Sequence, residues 1–148
     1  MALTGLDGGI YIQAATGTTP TTLTGDLWNN VKDVSFSSPV ATADVSTRAN
    51  SGWRSQLPTL RDLTITIQAQ FEDDDSILDA VRTAWTGNSN LEVTFVSDTT
   101  AGAAYEGFVG VFFVSEFGGD QPLEGGQEFP ITLTLVDYGA TLDGTQAT

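Results

Sequence analysis

The stretch that decides the fold runs from Thr47 to Trp85 and reads TRANSGWRSQLPTLRDLTITIQAQFEDDDSILDAVRTAW. From Leu63 to Phe71, apolar and polar residues alternate without a break. This alternation is typical of a half-buried strand, because successive side chains of a strand point to opposite faces. The apolar residues that follow share one side of a helix with 3.6 residues per turn: Ile77, Leu78, Val81, Ala84 and Trp85. The stretch therefore predicts a strand followed by a short amphipathic helix.

Residues at both ends of this helix carry capping signals. Asp74, Asp75 or Ser76 is placed to accept hydrogen bonds from the free N–H groups of the first turn, and the acidic run suits the positive end of the helix dipole. Gly87 is placed to let the chain leave the helix. A calcium loop of the EF-hand type is not predicted, because the spacing of ligands from Asp73 onward does not match that motif.

Outside this stretch, further segments have strand patterns, and the whole count is about seven strands and one helix. The segments are Ile10–Ile12, Val31–Phe36, Val40–Thr47, Leu91–Phe95, Tyr105–Phe117 and Phe129–Leu135, and residues 118–127 form a turn-rich hairpin connection. The Thr-rich residues 16–26 read as an extended loop. The pattern predicts a mainly β fold, a β-sandwich or partial barrel in a single domain 1–148. Residues 1–9 and 140–148 are expected to be loose tails or assembly arms.

The middle of Tyr105–Phe117 is apolar on both faces. A strand buried on both sides has this composition, either inside the monomer or between subunits. An isolated subunit is therefore expected to expose apolar surface from Val109 to Phe113 and to associate with other copies.

Composition excludes several classes of function. The 148 residues contain no cysteine and no histidine, so thiolate chemistry, an imidazole base and most zinc sites are excluded, and no enzyme activity, metal or cofactor is predicted. Five Lys and Arg against nineteen Asp and Glu give a formal net charge of −14, which disfavours binding to nucleic acid and to anionic membranes. The chain has neither a long apolar run nor a signal peptide, so it is expected to be soluble and made in the cytoplasm.

Three of the five basic residues cluster around Trp53, in a loop of about a dozen residues from Arg48 to Arg61. Such a loop is long for a compact domain and is therefore a candidate functional segment. One interpretation is local salt bridges to Asp44 and Asp62, which contribute little on an exposed surface. The other is a subunit interface, because Trp and Arg are enriched at interface hot spots.

The interface hypothesis takes six residues: Arg48, Trp53, Arg54, Leu57, Leu60 and Arg61. Trp53 is its expected anchor. The two other tryptophans, Trp28 and Trp85, are predicted to lie in the core.

The sequence resembles the major tail tube proteins of long-tailed (siphovirus-type) bacteriophages and related phage-like particles. The resemblance covers about residues 31–139. It lies in the segments DVSTRANSGWRSQLPTLRDLTITIQAQF, SILDAVRTAW, LEVTFV and EFGGDQPLEGGQEFPITLTLVDYG.

This resemblance implies a β-sandwich whose copies form hexameric rings, stacked into a tube that conducts DNA from the head to the host cell. Four strands from each of six subunits would form a continuous barrel about 50 Å across at the backbone, wide enough for duplex DNA. Its implied partners are further copies of itself, a tape-measure protein and tail tip or terminator proteins, with DNA passing without specific binding. The implied location is the virion tail.

Two alternatives remain at this point. One is another virion component on the same kind of sandwich, such as a tail terminator or a head decoration protein. The other is an extracellular carbohydrate-binding β-sandwich module.

Overall fold

A computed structural model describes residues 8–119, 121, 123 and 126–146, and within them the chain forms nine strands, one α-helix and one 3-10 turn. The strands are β1 (Gly9–Ala14), β2 (Asp26–Leu27), β3 (Val31–Ser37), β4 (Val40–Asp44), β5 (Gln56–Arg61), β6 (Thr64–Gln70), β7 (Asn90–Val96), β8 (Ala104–Phe117) and β9 (Glu128–Thr145). The helix, α1, is Ser76–Gly87, and the 3-10 turn is Arg48–Asn50.

Seven strands form one antiparallel sheet in the order β2-β1-β7-β8-β9-β6-β3. The sheet is curled, which brings the edge strand β3 back to the central strands. Phe36 of β3 contacts Phe95 and Phe108 of these strands, with ring centroids 5.1 and 5.2 Å apart. The buried residues of this curled sheet and the apolar side of α1 form one core. The predicted mainly β partial barrel with one short helix is confirmed. The sheet has seven strands, in agreement with the expected count of about seven. The sequence did not predict β2 and β5, because neither carries an apolar alternation.

Asp75 fixes the start of α1. Its carboxylate accepts hydrogen bonds from the backbone N–H groups of Ile77 and Leu78, at 3.1 and 3.3 Å. It also accepts from Trp28 Nε1 at 2.8 Å and from Asn30 Nδ2 at 3.0 Å. Partial burial alone would raise the pKa of Asp75, but these four hydrogen bonds outweigh it and hold the pKa below its ordinary value. One side chain therefore caps the helix and ties it to the chain between β2 and β3.

Three details of the prediction are corrected by the structure. The chain leaves α1 through Asn88, which has a φ of 51°, while Gly87 is the last helical residue. Residues 140–145 of the expected tail are not loose, because β9 continues through them and pairs with the first part of β8. Trp28 is buried as predicted, but Trp85 is 46% exposed, because it lies at the border of the buried side of α1. Residues 1–7, 147 and 148 of the expected tails, and 120, 122, 124 and 125 of the expected turn, lie outside the described residues.

Residues 15–25, here called the threonine loop, lie across the face of the sheet opposite the core. Glu92, which is only 2% exposed, accepts hydrogen bonds from the Thr16 N–H at 2.8 Å and from Gln13 Nε2 at 3.3 Å. Thr94 Oγ1 accepts from the Thr24 N–H and donates to the Thr24 carbonyl, both at 3.3 Å. The hydroxyl of Thr19 donates to Asp137 in β9. The loop is therefore a fixed layer over β7 and β9.

This layer explains the strand with two apolar faces. Val109 and Val111 are buried within the monomer, and Val111 lies beside Thr18 and Thr19 of the threonine loop. The expected apolar surface from Val109 to Phe113 was wrong for all of them except Phe113, which is 40% exposed. Burial on both faces is satisfied without a second subunit.

Candidate functional site

Residues 40–61 form a two-stranded antiparallel ribbon, here called the arm. It comprises β4, a tip and β5, with Val40 opposite Arg61 and Asp44 opposite Gln56. The arm begins where the pairing between β3 and β6 ends. At this junction the Asp62 N–H donates to the Pro39 carbonyl at 3.0 Å. The loop predicted from Arg48 to Arg61 is therefore the tip and the second strand of a ribbon.

The tip has a defined shape. The Val45 N–H donates to the Ser55 carbonyl at 2.9 Å, and the Ser55 N–H donates to Ser46 Oγ at 2.7 Å. Hydrogen bonds from Ser46 hold the pKa of Asp44 below its ordinary value. Ser51 and Gly52 both take left-handed backbone conformations, with φ of 54° and 85°.

The side chains of the arm are uncovered on both faces. Trp53 is 80% exposed, Leu60 is 76% exposed, and Leu57 is exposed as well. Each of the three arginines, Arg48, Arg54 and Arg61, is also exposed. Among the described residues, none of these arginines forms an ion pair, so the local salt bridges of the first interpretation are absent there. The structure brings the six predicted interface residues together on one projecting element.

Charge divides between the arm and the rest of the chain. The arm holds three arginines and one aspartate, a formal charge of +2, whereas the remainder holds two cations and eighteen carboxylates, a formal charge of −16. A positive, apolar arm is thus attached to an acidic body.

The curled sheet is open on one side. Within the described residues no strand pairs with the outer edge of β2 or of β3. A groove of about 850 Å³ lies between these edges, and its lining includes Leu27, Val34 and Phe95. Free edges of this kind are templates for pairing with another chain.

One uncovered face of the sheet is rich in hydroxyl and amide groups. Two rows run across β3, β6 and β9, one of Ser35, Thr66 and Thr132 and the other of Ser37, Thr64 and Thr134. Ser115 of β8 joins them, because it accepts a hydrogen bond from Thr134 Oγ1 at 3.0 Å and donates to the Thr132 carbonyl at 3.1 Å. These residues together with Gln68 are here called the hydroxyl face. The strict alternation of Thr64, Thr66 and Gln68 is visible in the sequence, whereas the joining of the strands that completes the face is not.

A metal-binding cluster and a long apolar helix are both absent from the described residues. They contain no group of three or more His, Cys, Asp or Glu residues close enough to hold a metal ion. No helical segment in this part of the chain has the length and apolarity that spanning a membrane requires.

The fold is that of tail tube proteins. The structure is similar to the SPP1 tail tube solved by solid-state NMR and cryo-EM, with a TM-score of 0.73 and 15% identity over 99% of this chain and 81% of that chain. It is similar to the tail of an empty gene transfer agent particle with C6 symmetry, with a TM-score of 0.70 and 20% identity, and to the virion of a native gene transfer agent particle, at 0.69 and 18%. Both of these matches cover 96% of this chain and 98% of the other. No protein-family model and no curated protein sequence matches the chain.

Proposed function

We propose that this chain is the structural subunit of a tail tube, with no catalytic role. Copies would associate sideways into rings through the open edges of β2 and β3, and rings would stack into a tube that conducts DNA. The observation that carries the proposal is the match of nearly the whole chain to three tail structures, one of them refined with sixfold symmetry. A hexameric ring is the corresponding assembly here.

The hydroxyl face is the surface best suited to line the channel. DNA carries about one negative charge per 1.7 Å of axis, and proteins that hold it neutralise its phosphates with Lys and Arg. The face itself is uncharged, and the charged residues beside it are mainly acids, Asp33 and Glu116. Lys32 at its end is paired with Glu128 at 3.2 Å. DNA would therefore slide along such a wall without being retained.

The arm would form contacts between subunits. An isolated two-stranded hairpin is marginally stable in water, so a ribbon with both faces uncovered is stabilised by what it meets in the assembly. Trp53 would be the anchor, with Leu57 and Leu60 beside it and Arg48, Arg54 and Arg61 facing carboxylates of a neighbour. Truncation of such hot-spot residues costs about 2 kcal/mol or more at each interface.

Electron microscopy of the purified protein tests the proposed function. We expect tubes of uniform width with a central channel. A protein that stays monomeric at high concentration and high salt, without rings or tubes, would contradict the tail tube assignment.

The double variant Trp53→Ala, Arg54→Ala tests the arm. We expect the circular dichroism of the folded protein and no tubes. If the variant assembles normally, the arm is a surface ribbon without a role in assembly.

The remaining parts of the proposal concern the environment of the tube. The chain would be made in the cytoplasm of the host and reside in the virion tail. A tape-measure protein and tail tip or terminator proteins would be its further partners.

A further inference from the structure

Four aromatic rings form a continuous row on the surface, here called the aromatic ladder. Trp85 of α1 stacks on Phe117 with centroids 5.2 Å apart, and Phe117 stacks on Phe129 at 5.8 Å. Phe71 then meets Phe129 edge to face at 5.9 Å. Both ends of the row are open to solvent, since Trp85 and Phe71 are each more than two-fifths exposed. Exposed rings side by side are unusual on a monomer surface and indicate a contact surface.

Acidic residues adjoin this ladder. Glu72, Asp73 and Asp74 follow Phe71 directly, and all three are exposed. None of them forms an ion pair within the described part of the chain. The two cations outside the arm are each paired with a different acid, Lys32 with Glu128 and Arg82 with Asp79. The surface around the ladder thus combines aromatic area with negative charge that the subunit itself leaves uncompensated.

The ladder and the arm lie at opposite ends of the same strand. The arm joins β6 just before Thr64, whereas Phe71 comes immediately after Gln70. At about 3.3 Å per residue these ends are about 20 Å apart. Two different surfaces at opposite ends of a subunit make a head-to-tail contact, which repeats without limit when it does not close into a ring.

We propose that the aromatic ladder and the acids beside it receive the arm of the next copy along the tube. This inference rests on the proposed function of the arm and identifies its partner surface. Trp53, Leu57 and Leu60 would cover the exposed rings, and the arginines of the arm would meet the carboxylates of residues 72–74. The arm is positive, the surface around the ladder is negative, and both have apolar residues at the centre. This is the composition of a specific interface.

Charge reversal tests the pairing. We expect Glu72→Lys with Asp73→Lys to fold normally and to form no tubes, and Arg48→Glu with Arg54→Glu to behave likewise. All four changes in one chain should restore tubes, because the charges are again opposite. As a matched control, Glu106→Lys with Asp143→Lys makes the same charge change on exposed residues at the far end of β8 and β9, and we expect it to leave tube formation intact.

The outcomes separate this inference from the proposed role of the arm. If the variant at residues 72 and 73 builds normal tubes while the Trp53→Ala, Arg54→Ala variant does not, the arm docks elsewhere and the ladder is not its partner. If both variants build tubes, the arm has no role in assembly.

Cross-linking gives a second measurement that does not depend on charge. The chain contains no cysteine, so Leu60→Cys and Asp73→Cys introduce a unique pair. A short bismaleimide reagent added to tubes of this double variant should give cross-linked dimers, trimers and longer chains, seen as a series of bands in a denaturing gel. Leu60→Cys alone should give monomers. Dimers from Leu60→Cys alone would show arm against arm and would overturn the inference.

Discussion

The arm and the threonine loop are both long segments outside the regular alternation of the sheet, yet they end in opposite environments. Polar groups of the threonine loop bond to Glu92, Thr94 and Asp137 of the sheet below it. Within the described residues, the hydrogen bonds of the arm join its own residues, and the bond from Asp62 to Pro39 closes its base. The difference shows which segment completes the monomer and which is available to a partner.

The two segments also differ in how closely they approach the sheet, which Gly139 of β9 shows for the loop. A β-carbon at position 139 would lie 1.9 Å from the carbonyl oxygen of Pro20 in the threonine loop and 2.9 Å from that of Val109. Around Gly52 in the arm nothing lies within 4 Å of the corresponding position. The loop is therefore fitted against the sheet at Pro20, whereas the arm has open space around Gly52.

The largest expected effect is therefore that of Gly139→Ala. Its methyl group meets backbone atoms on two sides, so the threonine loop must move, and we expect a loss of about 3 kcal/mol in the free energy of unfolding. Urea unfolding of the unassembled protein measures it. Gly52→Ala is the control, because its left-handed φ costs about 1 kcal/mol of strain that stays in the arm. Equal shifts of the main unfolding transition for the two variants would contradict the distinction between loop and arm.

A smaller effect is expected at the buried carboxylate under the threonine loop. Glu92→Ala leaves the Thr16 N–H and the Gln13 amide without their acceptor, and we expect a loss of about 2 kcal/mol in stability and faster hydrogen exchange at the Thr16 amide. Glu92→Gln keeps an oxygen of the same reach and should lose less. If both variants lose the same amount, the charge rather than the hydrogen bond holds the loop.

The sequence predicted those elements whose signal is local. The strand from Thr64 and the helix from Ser76 follow from their periodicity, and the choice of an acid as helix cap follows from position. The bonds from Trp28 and Asn30 to Asp75 were not predictable, because they join residues more than forty positions apart.

The elements that were missed lack a buried face or depend on a distant strand. Gln56–Arg61 has no apolar alternation since neither of its faces is covered, so it read as a loop. The last part of β9 contains Gly139 and Gly144 and read as a tail, yet β8 holds it. In the candidate site, the exposed Trp53 and its arginines were predicted from composition, whereas the aromatic ladder was not, because its rings come from four separate parts of the chain.

Acid should distinguish the body from the arm through Asp75 and Asp44, whose pKa values are both lowered by hydrogen bonds. A carboxylate whose pKa is lowered in the folded state stabilises the fold at pH values above its ordinary pKa of 3.8. This stabilisation is lost as the pH falls through the lowered pKa. Asp75 bonds to the helix, Trp28 and Asn30, so Asp75→Asn should flatten the acid side of the stability curve. Asp75→Ala should cost about 1 kcal/mol for the cap at neutral pH.

Asp44→Asn is the matched control for this pH dependence. Its partner is Ser46 in the arm, so we expect the main unfolding transition to keep the pH dependence of the original protein. Urea unfolding at a series of pH values between neutral and acid compares the three proteins. A curve for Asp44→Asn as flat as that for Asp75→Asn would show that the arm and the body unfold together.

The smallest expected effect on stability belongs to Trp53→Ala, and it makes the sharpest test of the comparison. An indole that is 80% exposed contributes little to the folded monomer, so we expect the free energy of unfolding of the unassembled protein to change by less than about 0.5 kcal/mol. Trp28→Ala is the opposite case, because that indole is buried and donates to Asp75, and it should destabilise the monomer by about 3 kcal/mol. Urea unfolding gives the stability of each variant, and electron microscopy gives its capacity to form tubes. Of these two variants, only Trp53→Ala is expected to lose tube formation while the monomer keeps its stability. If Trp53→Ala destabilises the monomer as much as Trp28→Ala does, the arm folds back onto its own subunit. The arm would then be part of the body and not a separate element.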